Sequence, residues 1–185
     1  MKLVLSSVFL VNTLITLWYG MMLTHETGHI LAALATGGHI DYLAFPALGF
    51  SRTEISDNPH PLIVAWGGPG LGSILPLIAT FALRPFKIRT HLLDLFTGFC
   101  LLANGIYIAI GSFDKIGDAG DLLRHGSPIW TLWLFGGLAI VAGMAVWHSL
   151  GRSLGMRTRW RPSDGRIAII CSAFLLCICI LATHR

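Results

Sequence analysis

Five apolar stretches divide the chain, at Leu3 to Ala35, Leu62 to Leu83, Leu92 to Phe113, Ile129 to Leu150 and Ile167 to Ala182. The first four reach the roughly 20 residues that an α-helix needs to cross a hydrocarbon core of about 30 Å. Inside lipid every backbone polar group must be bonded within the protein, which leaves helices or closed barrels. Runs of this length and composition read as membrane-spanning helices. The chain is 54% hydrophobic and only 12% charged, with mean hydropathy +0.71, outside the range of a soluble domain. The expected fold is all-α, a polytopic membrane helix bundle of about five spans, with one domain covering 1–185 and no internal repeat. An integral, multi-pass protein of the cell membrane follows. Met1-Lys2 and Ala33-Leu34-Ala35 would suit a signal peptide, but the first run far exceeds a 7–15-residue signal core. As one helix it would reach about 50 Å, so it must tilt, kink or project beyond the bilayer.

Within that first run His25-Glu26-Thr27-Gly28-His29 spells H-E-x-x-H. Two histidines four apart lie one turn above each other on a helix, so both imidazoles can reach one metal ion. Glu26 lies about 100° round the helix and can serve as a general base without being a ligand. Zn2+ in such a clamp acidifies water and polarises a carbonyl, which is the chemistry of peptide hydrolysis. A chance pattern is a poor account, because Glu occurs only at positions 26 and 54. Ionisable groups in an apolar span also cost about 2.5–3.5 kcal/mol each on insertion scales, and so call for a local reason such as a metal.

A catalytic zinc has three protein ligands and one open position, and H-E-x-x-H supplies two. Three carboxylates in eight residues, Asp114, Asp118 and Asp121, are the candidates for the third. Asn104 is a lone polar residue in the third span, suited to bonding between helices or to holding substrate. Gly37-Gly38 ends the first helix, and the mixed stretch from His39 to Ile55 suits a short β-hairpin lying against the site. The run Gly67-Gly68-Pro69-Gly70-Leu71-Gly72 is no P-loop, since no Lys-Ser/Thr follows; it favours close helix approach, with a kink at Pro69. The cysteines (Cys100, Cys171, Cys177, Cys179) all fall in apolar stretches and read as small apolar fillers. Formal net charge is +4, with the basic residues gathered in short connectors, so no nucleic-acid partner is expected.

These motifs together resemble the site-2 protease family of intramembrane zinc metallopeptidases. The likeness covers about residues 10–125. It rests on H-E-x-x-H in an early helix, on Gly67-Gly68-Pro69-Gly70, and on Asp118-Ala119-Gly120-Asp121-Leu122-Leu123, which is similar to the family's Asp-Gly-Gly motif before a helix. The resemblance implies that His25, His29 and Asp118 bind Zn2+, that Glu26 activates water, and that Asn104 lies near the substrate. It also implies an irregular or β segment after the motif helix. Two departures stand out: Tyr107 replaces the proline of the family's Asn-x-x-Pro pattern, and Asn104 is farther from Asp118 than usual.

The resulting expectation is a zinc metalloendopeptidase that cuts a peptide bond within or next to a transmembrane segment, with a membrane protein substrate and the lipid bilayer as partners. The alternative is a non-proteolytic membrane protein with a structural metal site. With five spans, Lys2, the 84–89 connector and the 152–166 connector share one side, giving nine basic residues against four (Arg52, Lys115, Arg124, Arg185) on the other. The positive-inside rule then places the N-terminus in the cytoplasm and the metal end of the first helix outward, opposite to the usual arrangement in family members that begin with the motif helix.

Overall fold

The computed structural model describes residues 2–46, 49–83 and 91–154, with isolated positions 166, 169, 170, 173 and 177. The element order is α1 (Lys2–Thr36), β1 (His39–Ala44), β2 (Arg52–Ser56), α2 (Pro61–Leu83), α3 (His91–Asp114), α4 (Gly117–Arg124) and α5 (Ile129–Leu154). The all-α bundle with a short hairpin after its first helix is therefore the observed fold. Helices α2, α3 and α5 are each long and apolar enough to cross a membrane. The 35-residue α1 extends about 50 Å at 1.5 Å per residue. The last expected span, 167–182, lies for the most part outside the described residues.

Polar side chains are buried beside an apolar core, and many large apolar side chains face outward. Thr80, Thr97, Asn104 and Ser112 are buried between helices, whereas Ile78, Ile110, Leu138 and Val141 face outward. Without a hydrophobic drive between helices, contact depends on small residues and interhelical hydrogen bonds. Thr80 and Thr97 share a hydroxyl bond of 2.7 Å between α2 and α3, and Thr97 also donates to the Pro76 carbonyl at 3.0 Å. Between α3 and α5, Gly105 faces Gly136, and the Trp147 indole donates to the Leu95 carbonyl at 3.0 Å.

Helix α1 ends where Gly37 turns left-handed (φ 85°) and the Gly38 N–H bonds back to the Ala33 carbonyl at 2.9 Å, a Schellman closure. The chain then runs into an antiparallel hairpin whose register pairs His39 with Ser56, Leu43 with Thr53 and Ala44 with Arg52, with an irregularity between Ile40 and Tyr42. A lone two-stranded hairpin is marginal in water, so it needs anchors. Phe45 provides one, buried against Tyr19, Met21, Met22 and Cys100. Ile55 provides another, packed on Ala32, Ala33 and Val64. Along β2 the period-2 alternation sends Arg52 and Glu54 outward and Thr53 and Ile55 inward toward α1.

Helices α1 and α2 approach backbone to backbone. A Cβ on Gly28 would collide with the Gly67 carbonyl, one on Gly67 would stand 2.7 Å from the Ala32 Cβ, and one on Gly68 would enter the His29 ring. The glycine stripe thus lets the α2 backbone lie directly on the metal motif. We expect Gly28→Ala to destabilise the fold by about 1–3 kcal/mol through overpacking. Gly70, in the same helix, has open space around its missing Cβ, so Gly70→Ala should stabilise by roughly 0.5–1 kcal/mol. Reversible denaturant titration of the purified protein in detergent checks both; equal effects would refute the packing account.

Candidate metal centre

His25 and His29 project from one face of α1, and Asp118 reaches the same point from the first turn of α4, where the helix dipole favours a carboxylate. The His25 Nε2 lies 2.8 Å from Asp118 Oδ2, the His29 Nε2 lies 3.3 Å from it, and the two Nε2 atoms are 3.2 Å apart. Burial opposes charge on Asp118, yet its hydrogen bonds with His25 and His29 and their nearby charge outweigh it and hold the carboxyl below the usual carboxylate range.

The outer nitrogens of both rings are already committed. His29 Nδ1 donates to the Val64 carbonyl at 2.8 Å, and His25 Nδ1 donates to Asn104 Oδ1 at 2.7 Å. The Asn104 amide is itself oriented, because its Nδ2 donates to the Cys100 carbonyl at 2.9 Å. Both rings therefore turn Nε2 toward Asp118, as ligating histidines do when their second nitrogen is held by a carbonyl or amide. Protons satisfy three mutually facing acceptor atoms only in part, whereas one cation between them satisfies all three. A tetrahedral ion with bonds of about 2.0–2.1 Å would set its ligand atoms roughly 3.3 Å apart, close to the observed spacings. The donor set fits a metal ion.

Of the three carboxylates, Asp118 alone joins the cluster. Asp121 forms an ion pair with Arg124 at 2.5 Å, and Asp114 is exposed at the end of α3. In the turn between α3 and α4, Lys115 (φ 55°) and Gly117 (φ 53°) both adopt left-handed backbone. A side chain on Gly117 would clash with the Tyr107 hydroxyl. That hydroxyl accepts the Asp118 backbone N–H at 3.2 Å, and the Tyr107 ring meets the His25 ring edge-on at 6.1 Å. Tyr107 thus ties the aspartate's helix to the histidine helix.

Glu26 is 3% exposed, and the hairpin holds both of its oxygens. Ser51 donates to Oε1 at 2.6 Å, and Thr53 donates to Oε2 at 2.5 Å. Sequence reasoning missed these two hydroxyls and the Tyr107 contact. Inward alternation along β2 is a signal for Thr53, but nothing in the sequence marks Ser51 or Tyr107. A carboxylate offers about four lone-pair sites, so Glu26 keeps acceptor capacity for water. It lines a cavity of about 580 Å3 together with His29 and Asp118.

No family model, curated protein or solved structure matches this chain.

Removing a ligand and removing its support should differ in degree. We expect His25→Ala, His29→Ala and Asp118→Asn to abolish metal retention, and Asn104→Ala to weaken it by about 10–100-fold. Asp114→Asn and Asp121→Asn should retain the metal fully. Metal analysis of the purified variants, with chelator competition for the affinities, reads the order. Retention by Asp118→Asn with loss by Asp121→Asn would overturn the ligand assignment.

Proposed function

We propose that this chain is a membrane-embedded zinc metalloprotease that hydrolyses a peptide bond within or next to a transmembrane segment of a membrane protein. The observation that carries the reading is the convergence of His25, His29 and Asp118 on one point, with Glu26 lining the same cavity. Two imidazoles and one carboxylate with a fourth position open form a catalytic zinc set, whereas structural zinc sites are closed by four protein ligands. Three apolar helices of spanning length, with large apolar side chains facing outward, support a multi-pass location in the cell membrane.

When bound, the zinc would supply Lewis acidity at the scissile carbonyl and at the water that attacks it. Glu26 takes the proton from that water and returns it to the amine that leaves. Ser51 and Thr53 fix the plane of the Glu26 carboxylate, so the base does not have to be ordered during the reaction. The polar cavity beside His29 and Asp118 admits water to a site otherwise walled by apolar helices. A substrate helix must unwind before its carbonyl is free, and the outer edges of the two-stranded sheet offer backbone partners to the unwound segment.

The two hydroxyls on Glu26 also favour a second reading, in which the glutamate is a buried structural acceptor and the metal site serves the fold. Glu26→Gln separates the two. A serine or threonine hydroxyl can accept from an amide as well as donate to it, so the glutamine keeps both hairpin bonds and loses only the proton acceptor. We expect this variant to fold and to bind zinc like the wild type, with cleavage of a membrane-spanning substrate reduced by about 10²–10⁴-fold. Equal cleavage by the two proteins removes Glu26 from the mechanism. A zinc-loaded wild type that cuts no helix-destabilised substrate moves the assignment to the structural reading.

A further inference from the structure

Two cavities of opposite character meet at Glu26. The larger, about 580 Å3, carries Arg52, Asp121, Arg124 and His125 beside His29 and Asp118. The smaller, about 320 Å3, lies between α1 and α3 and is walled by Trp18, Met21, Met22, Ala103 and Ile106. Phe50 and Tyr107 line both. Their rings lie nearly parallel, 18° apart in tilt with centroids 6.4 Å apart, and Phe50 also meets Trp18 at 5.6 Å. An aromatic partition with Glu26 on both of its sides therefore divides a wet chamber from a dry one.

The polar groups at the inner end of the dry cavity are bonded among themselves. His25 donates to Asn104, Asn104 donates to Cys100, and Ser51 donates to Glu26. A polar guest would have to give up water for walls that offer it little in return, whereas an apolar guest gives up nothing. Methionines at 21 and 22 add walls that adapt to differently shaped apolar groups. The volume is at the low end for a ligand pocket, so it suits one large side chain rather than a helix. Ile106 is 48% exposed, so the cavity reaches the apolar outer surface of α3.

We infer that this cavity is a specificity subsite that receives the large aliphatic or aromatic side chain of a residue flanking the scissile bond. The inference rests on the protease reading and deepens it. A peptide whose carbonyl lies within reach of Glu26 has its neighbouring side chains within one residue spacing, about 3.8 Å along the chain. The base is shared by both chambers, so a flanking side chain from the substrate can enter the apolar one while water occupies the polar one. Segments cut from a bilayer are rich in leucine, isoleucine and phenylalanine, the guests this lining accepts.

The test uses the full-length zinc-loaded protein and a set of membrane-spanning substrates that differ only at the two residues flanking the mapped cleavage site. At one of the two positions Leu or Phe should be preferred over Ala by about 10-fold or more in kcat/KM, within the discrimination that apolar pockets achieve. Ile106→Trp, placed at the exposed wall where folding is least at risk, and Ala103→Leu should each shift that preference toward Ala. A readout without turnover uses the Glu26→Gln protein and the same substrate with a diazirine-bearing leucine analogue at the preferred position. Its crosslinks should map to Met21, Met22 or Ile106. Cleavage with no preference at either position, a preference unchanged in both wall variants, or crosslinks only outside the cavity would overturn the subsite and leave the protease reading intact. No cleavage of any member of the set would overturn both.

Discussion

Two imidazole nitrogens and a carboxylate oxygen crowd within about hydrogen-bond distance of one another in the interior, and the rest of the structure is arranged around that cluster. With their lone pairs facing one another these three atoms repel unless protons or a metal cation lie among them, and at low dielectric the repulsion is strong. Such a cluster persists only where other bonds over-determine it. Helix α2 supplies the Val64 carbonyl, α3 supplies Asn104 and Tyr107, and α4 supplies the carboxylate. Each helix of the inner bundle thus holds one side of the site. Helix α5 packs on α3 through the glycine contacts and the Trp147 bond, and its Leu132 and Phe135 pack in one apolar cluster with Ala65 and Trp66 of α2 and Ala119 and Leu122 of α4.

The close approach of α1 and α2 makes that convergence geometrically feasible. The Val64 carbonyl can accept from His29 only if the two backbones are nearly in contact, and Gly28, Gly67 and Gly68 allow that contact by having no side chains. Gly28 is one of the two unspecified positions of H-E-x-x-H, so a residue outside the chemical pattern sets how closely the second helix can approach it. Pro69 interrupts the α2 hydrogen-bond ladder in the same region, five residues after Val64.

The parts of the site that were legible in the sequence are those fixed by local periodicity. A spacing of four places His25 and His29 on one face whatever surrounds them, and long apolar runs force helices in lipid. The hairpin was readable from Gly37-Gly38 and the mixed stretch after it. What the sequence left open depended on turns. Asp114, Asp118 and Asp121 are equivalent by composition, and only the left-handed backbone at Lys115 and Gly117 turns Asp118 inward while leaving Asp121 to Arg124. Asn104 read as interhelical glue or a substrate contact; the structure adds a bond to His25 that sequence spacing could not show, because 79 residues separate the two. Ser51 was invisible for the same reason, because a hydroxyl's partner is decided by tertiary approach; for Thr53 the alternation along β2 marks the inward face but not the partner.

The hairpin bonds link the two halves of the site's chemistry. Glu26 lies on the rigid α1, yet its carboxylate is gripped by a two-stranded element that is otherwise held by Phe45 and Ile55. The hairpin and the orientation of Glu26 are coupled through Thr53, which is paired with Leu43 in the sheet and bonded to the carboxylate by its side chain. Phe50 extends the same coupling, because it leads directly into Ser51 and stacks on Tyr107, whose hydroxyl holds the helix of Asp118. A displacement of the hairpin would reach Glu26 through Ser51 and Thr53 and Asp118 through Phe50 and Tyr107, so the buried glutamate and the His-His-Asp cluster are joined through one short, polar strand and the two residues that precede it.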